Sequence, residues 1–387
     1  MEFNNSINNL KPSKSIVFMG RAKQLKASDK TIIDLSGGEP DFTTPSKIRE
    51  EAKYWLDQGY THYTIGPGLP ELREKIAKNL GVRNGCNYGP DNVIVTPGAK
   101  YAIYLSVRSV INSGDKVLYL EPGWVSYPSI IEASGGIPVP VRLKIEDGYY
   151  LNTNALEEAA KNGAKALIIN YPCNPTGRIL TKEEADALRA FLIKYPDIIV
   201  ISDEVYDRIV FDGKQSVSMA SYPELSERVI TVNGFSKSVA MTGWRLGYLA
   251  APMEIRNVIY KLYQHTLSCV SGFEMKAAAV AFDCEDEVEY MRSRYEERRN
   301  LFIGGLNSIP SVQCLMPEGA FYAWVKFDIP GYDAEKICEY ILNSAKVVGV
   351  PGNAYGTDET CVRFSFAASD DDLKEAVVRI RSAIEKL

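Results

Sequence analysis

Five short apolar runs, rich in β-branched residues and separated by loops and helix-like stretches, constrain this chain more than any other feature. They lie at 93–96, 116–120, 165–170, 198–202 and 228–232. Each is too short for a buried helix and reads as a buried strand. Between them, Pro70 opens a helical pattern over 70–80, and Thr181-Lys-Glu-Glu184 is a capping box that starts a helix running towards Lys194. Strand, loop and helix repeated in this way predict an α/β fold whose mostly parallel sheet is covered by helices. After about residue 285 the pattern changes to a long charged helix over 287–306, a strand-like 321–327, a helix from Asp333, a strand-like 361–367 and a terminal helix. A chain of 387 residues exceeds the usual single hydrophobic core. The expected division is an N-terminal arm, 1–44, contributing part of a small domain; a large domain, 45–284; and a smaller α+β domain, 285–387.

Composition removes several function classes. A formal net charge of −5 disfavours a phosphate-backbone partner, so no nucleic acid is expected. The Asn-rich start, 1–14, lacks the apolar core of a signal peptide, and no stretch of 18 residues is free of charge. A cytoplasmic protein without membrane spans is the expectation. Seven cysteines lie far apart with no C-x-x-C pair, which indicates small buried hydrophobes rather than disulfides or a zinc site. With only two histidines, His62 and His265, a His-rich metal centre or a Ser-His-Asp apparatus lacks parts, and no metal is expected. Proton transfer then falls to lysine or tyrosine.

In open α/β sheets, ligands bind beyond the carboxyl ends of the strands. The polar residues there are Gly98-Ala99-Lys100 after the first run, Asn174 after the third, Asp203 and Tyr206 after the fourth, and Lys237 after the fifth. A carboxylate at the end of an apolar strand is costly unless it meets a partner, and a protonated ring nitrogen would be one. The alternative for Asp203 is an N-cap for a following helix. In Asn233-Gly-Phe-Ser-Lys237 and Met241-Thr-Gly-Trp-Arg245, a lysine and an arginine flank a glycine-bracketed turn. A lysine near other cations and away from water has a lowered pKa, which suits it to form a Schiff base with an aldehyde, while Arg245 can clamp a phosphate. Taken singly, each also reads as a solvated surface charge. Two prolines around Asn174 fix its direction, although the same segment reads as a plain turn. Thr96-Pro-Gly-Ala-Lys100 opens a helix whose free N–H groups suit an anion.

Together these segments resemble the class I aminotransferases of the pyridoxal 5′-phosphate (PLP) fold type I superfamily, most closely the prokaryotic-type aspartate aminotransferase branch. The resemblance runs from Lys11-Pro-Ser and Leu35-Ser-Gly-Gly-Glu-Pro-Asp-Phe42 through Tyr63, Gly98, Trp124-Val-Ser-Tyr-Pro, Asn174-Pro-Thr-Gly and Asp203-Glu-Val-Tyr206 to Arg363-Phe-Ser. It implies Lys237 as the cofactor-linked lysine and proton shuttle, with Asp203 on the pyridine nitrogen and Tyr206 and Asn174 on the ring hydroxyl. Trp124 would stack on the ring. Gly98, Ala99, Lys100, Ser236 and Arg245 would hold the phosphate, joined by Tyr63 from the other subunit of a homodimer with shared sites. Arg363 would fork the substrate α-carboxylate, assisted by Gly38 and Asn174. In the aspartate branch the lysine at position 100 faces the distal carboxylate. The implied reaction moves the amino group of L-aspartate to 2-oxoglutarate; aromatic amino acids, alanine or prephenate are alternative substrates, and a PLP β-lyase of the same fold is the rival reaction. Three positions depart from the usual pattern: Tyr171 and Gly234 where serine is common, and Gly123 where tyrosine is common.

Overall fold

Strands that are apolar on both sides need cover on both faces, and the fold supplies it. A computed structural model describes residues 5–387. In chain order its strands are β1 (Ile33–Asp34), β2 (Val93–Thr96), β3 (Lys116–Glu121), β4 (Ile137–Arg142), β5 (Ala166–Asn170), β6 (Ile199–Asp203), β7 (Val229–Gly234), β8 (Gly247–Ala250), β9 (Val312–Cys314), β10 (Tyr322–Phe327), β11 (Val347–Val348), β12 (Val350–Pro351) and β13 (Cys361–Ser365). Seven of them form one sheet in the order β2-β8-β7-β6-β5-β3-β4. Only β8 runs against its neighbours; the other pairings within β7-β6-β5-β3-β4 are parallel. Every residue of β2, β5 and β7 is buried, as the five apolar runs require.

The sequence reading missed two strands of this sheet. β4 carries Pro138 and Pro140, and it pairs with β3 alone, so it is an edge strand where a missing N–H is tolerated. β8, only four residues long and opening on glycine, has too little pattern to stand out. The helices begin and end where their signals lie. Pro70–Asn84 has proline in its first turn and stops at Gly85, whose φ of 67° only glycine adopts freely. Lys182–Lys194 has the reciprocal Thr181 and Glu184 capping box.

The second sheet is antiparallel, in the order β12-β13-β10-β9. The helices Glu285–Asn307 and Ala334–Ala345 pack against it, and Asp370–Ile384 packs against both helices. β1, from the N-terminal segment, pairs in parallel with β11. That pairing ties residues before 45 to those after 285. We propose the division into 1–44 with 285–387 and a large domain over 45–284 on this basis. Six cysteines are buried and Cys269 is half-buried, all of them free thiols. Among the described residues no helix is long and apolar enough to cross a membrane.

Candidate active site

The carboxyl ends of β2, β3, β5, β6 and β7 open on one cavity of about 430 Å³. Gly38, Ala99, Lys100, Trp124, Asn174, Asp203, Tyr206, Ser236, Lys237, Arg245 and Arg363, from seven separate segments, all line it. Sequence signals far apart in the chain therefore converge in space.

Asp203 is the last residue of β6, in register with Asn170 of β5. It is 5% exposed. The Tyr127 hydroxyl donates to its Oδ2 at 2.8 Å and the Val205 N–H to its Oδ1 at 3.3 Å. Burial pushes the carboxyl up to about 6, against the opposing pull of these two donors and of Lys237. Among the described residues no α-helix begins between Asp203 and Phe235, so the N-cap alternative is set aside. What remains is a buried carboxylate on which, among the described residues, Lys237 is the cation that acts.

Lys237 sits in the one-turn helix Phe235–Ser238 that follows β7. Its ammonium donates to the Gly38 carbonyl and lies 5.8 Å from the Tyr206 ring centroid. Burial lowers it to about 8; the cations Arg363 and Arg245 act in the same direction, while Glu39 and Asp203 oppose. An amine poised near neutrality can act as nucleophile and base.

Arg245 precedes β8 and joins this edge because β8 runs antiparallel, with Gly247 opposite Gly234. A Cβ on Gly98 would stand 2.5 Å from Arg245 Nη2, and Gly98 has φ 85°, so glycine is required for the guanidinium to lie on the start of helix Ala99–Val110. A Cβ on Gly247 would stand 2.5 Å from the Ala99 nitrogen. The first N–H groups of that helix, which lack intrahelical acceptors, are thereby kept clear. Guanidinium, helix N-terminus and glycine-lined backbone form a cradle for a dianion.

Arg363, in β13, is 3% exposed, so it is not a solvated strand arginine. Its Nη1 donates to Asn174 Oδ1 at 3.1 Å and its Nη2 to the Ser36 carbonyl at 2.6 Å. Its guanidinium lies 4.4 Å from the Tyr322 ring centroid and 5.3 Å from that of Tyr355. Among the described residues its buried Nε has no acceptor. Lys100 lies with its ammonium 5.0 Å from the Trp124 ring centroid, its pKa lowered by burial and by Arg245.

Two residues stand apart from the lining. Gly98 acts through the space it leaves, as above. Tyr63 is 91% exposed and lines a different hollow with Thr61, Cys269 and Phe273. The departures at 123 and 234 have local causes. A Cβ on Gly123 would meet the Leu120 carbonyl at 2.1 Å, and one on Gly234 would meet Gly247 Cα at 2.9 Å. Neither tyrosine nor serine fits here without moving backbone. The sequence reading missed several lining residues: Glu39, whose carboxylate accepts from the Thr242 hydroxyl at 3.0 Å, Tyr322, whose hydroxyl lies 2.8 Å from that of Tyr206, Tyr355, and Ile16 and Lys23 of the N-terminal helix.

Comparison with known proteins agrees with this geometry. The sequence model of the family aminotransferase class I and II matches residues 30–380. An aspartate aminotransferase of Geobacillus stearothermophilus is 37% identical over 392 residues, covering 100% of this chain and 99% of the relative. A probable aspartate/prephenate aminotransferase of Aquifex aeolicus is 38% identical, covering 98% of both. Among solved structures, the Thermus thermophilus aspartate aminotransferase with maleate superposes with a TM-score of 0.93 at 31% identity, over 99% of this chain and 100% of that one. The chain belongs to the class I and II aminotransferase family. It is a PLP-dependent aminotransferase, aspartate aminotransferase-like in sequence and fold.

Proposed function

We propose that this enzyme moves the amino group of L-aspartate to 2-oxoglutarate, working as a cytoplasmic homodimer. One observation carries the choice of substrate. Arg363 and Lys100 line the same cavity, and among the described residues neither forms an ion pair with a carboxylate of the chain. Arg363 is buried, where a cation without a counter-charge is costly, and Lys100 is a more exposed cation on the same wall; a substrate with two carboxylates gives each a counter-charge.

The residues fit PLP. Asp203, driven up by burial, is the partner a ring nitrogen needs, and the cradle at Gly98, Ala99, Ser236, Arg245 and the backbone N–H of Lys100 suits its phosphate, leaving the Lys100 ammonium free. When bound, the cofactor supplies an aldehyde that condenses with amines and a ring that takes up electrons released at the substrate Cα. Trp124 would cover one ring face, and Tyr206 would donate to the ring hydroxyl. Asn174 Oδ1 accepts from Arg363, which leaves its Nδ2 to assist at the ring hydroxyl. Lys237 Nζ would take the proton from the substrate Cα and act as the proton shuttle of the site. Arg363 forks the α-carboxylate, helped by the backbone at Gly38. Tyr63, too exposed to serve its own cavity, would complete the phosphate site of the partner subunit.

Because only the unprotonated amine attacks an aldehyde, uptake of PLP by the free protein should quicken as pH rises, with a midpoint near pH 8. Stopped-flow absorbance across pH 6 to 10 gives the profile; a midpoint near that of an ordinary lysine would remove the argument from burial. The substrate choice is tested by Lys100→Ala. Removing this cation should raise KM for aspartate by about tenfold or more and leave phenylalanine and alanine nearly untouched. Equal changes across the panel would reject an acidic substrate.

A further inference from the structure

Five cations line the cavity, and the reaction described above uses four of them: Lys237, Arg245, Arg363 and Lys100. The fifth is Lys23. It comes from helix Lys14–Ser28, outside the large sheet altogether. Ile16 and Lys23, seven residues and about two turns apart, both face the cavity. Gly20 lies between them on that face, and a Cβ there would meet nothing within 4 Å. Ala22 and Leu25 anchor the other side of the helix to Ile32 and Val348. The helix therefore presents an open, unpacked face to the cavity, with an ammonium on it.

Among the described residues Lys23 has no hydrogen bond or ion pair. The two carboxylates on the cavity wall are committed elsewhere. Asp203 is buried against Tyr127, and Glu39 accepts from Thr242. Once phosphate has taken Arg245 and an α-carboxylate has taken Arg363, two ammonium groups on different elements remain, Lys100 from the large sheet and Lys23 from the N-terminal helix. A monocarboxylic amino acid leaves both without a counter-charge, whereas a dicarboxylic one supplies it.

We propose that Lys23 is a specificity-determining residue, a second cation for the distal carboxylate of the substrate, acting with Lys100. This rests on the reading of the substrate as dicarboxylic. It makes the N-terminal helix part of the substrate site and lets Ile16 shield the methylene chain between the two carboxylates.

The test uses the holoenzyme, with Lys23→Gln and Lys23→Arg beside Lys100→Ala. In Lys23→Gln the ratio of the aspartate KM to the alanine KM should rise about fivefold, in the range of a partly exposed ion pair, with kcat for aspartate held within twofold. Lys23→Arg should restore the ratio. Calorimetric titration gives a readout apart from turnover: succinate should bind Lys23→Gln about fivefold more weakly than wild type, while propionate, which lacks the second carboxylate, binds both alike. If Lys23→Gln leaves the aspartate-to-alanine ratio and succinate affinity where they were while Lys100→Ala shifts both, Lys23 has no such role and the substrate reading stands. If wild type shows no preference for succinate over propionate, the substrate reading fails and this inference with it.

Discussion

Lys237→Ala should lower turnover by at least about 10⁴-fold, because on the proposed mechanism it removes both the amine that receives the cofactor aldehyde and the base that moves the Cα proton. No neighbour can substitute. Lys100, the next ammonium along the cavity wall, lies over Trp124 and not beside the carbonyl of Gly38, where the Lys237 amine is held. The same variant should lose the near-ultraviolet or visible band of lysine-linked PLP. Alanine leaves the short helix Phe235–Ser238 intact and removes one hydrogen bond to a backbone carbonyl, so circular dichroism and melting should stay close to wild type. A variant with wild-type turnover would overturn the whole assignment.

Asp203→Asn separates chemistry from stability. Asparagine keeps the size of the side chain and an oxygen for the Tyr127 hydroxyl but removes the charge proposed to face the ring nitrogen, and kcat should fall by about 10²- to 10³-fold, as for other preorganised charged groups. For the cofactor-free protein the sign reverses. The folded-state pKa of about 6 lies above the ordinary 3.8, so the folded form binds the extra proton between those values and stability falls as pH rises through that window. In Asp203→Asn that slope should flatten, and the cofactor-free variant should be no less stable than wild type near pH 7. Melting curves from pH 4 to 8 and steady-state rates decide it together. A variant that loses stability and rate in parallel would make Asp203 a structural group.

The central sheet could be read from sequence because its strands are buried on both faces, which writes them as unbroken apolar runs. β4 escaped because its prolines are allowed only at an edge, and edges are defined by tertiary neighbours. The groups that could be foreseen, Lys237, Arg245, Asp203 and Arg363, are charged residues in apolar or glycine-bracketed surroundings, where bulk water gives no account of them. Tyr322 could not be foreseen as a site residue: β10 is buried along nearly its whole length, so alternation does not say which side meets the cavity. Tyr127 depends on a contact across 76 positions. Lys23 looks in sequence like any solvated helix lysine, and only the placement of its helix against the cavity distinguishes it. Tyr63 is the opposite case, singled out in sequence and lying outside its own cavity.

The hydrogen bond from Arg363 to the Ser36 carbonyl spans 327 positions, nearly the length of the polypeptide. Chains emerge from the ribosome amino end first, and domains generally fold as units. The strands of the large sheet are all synthesised by residue 250, more than a hundred codons before Arg363 is made. A nascent enzyme can thus lay down the strands of its coenzyme groove while still unable to grip an amino acid, and the capacity to bind substrate waits until Arg363 has been made.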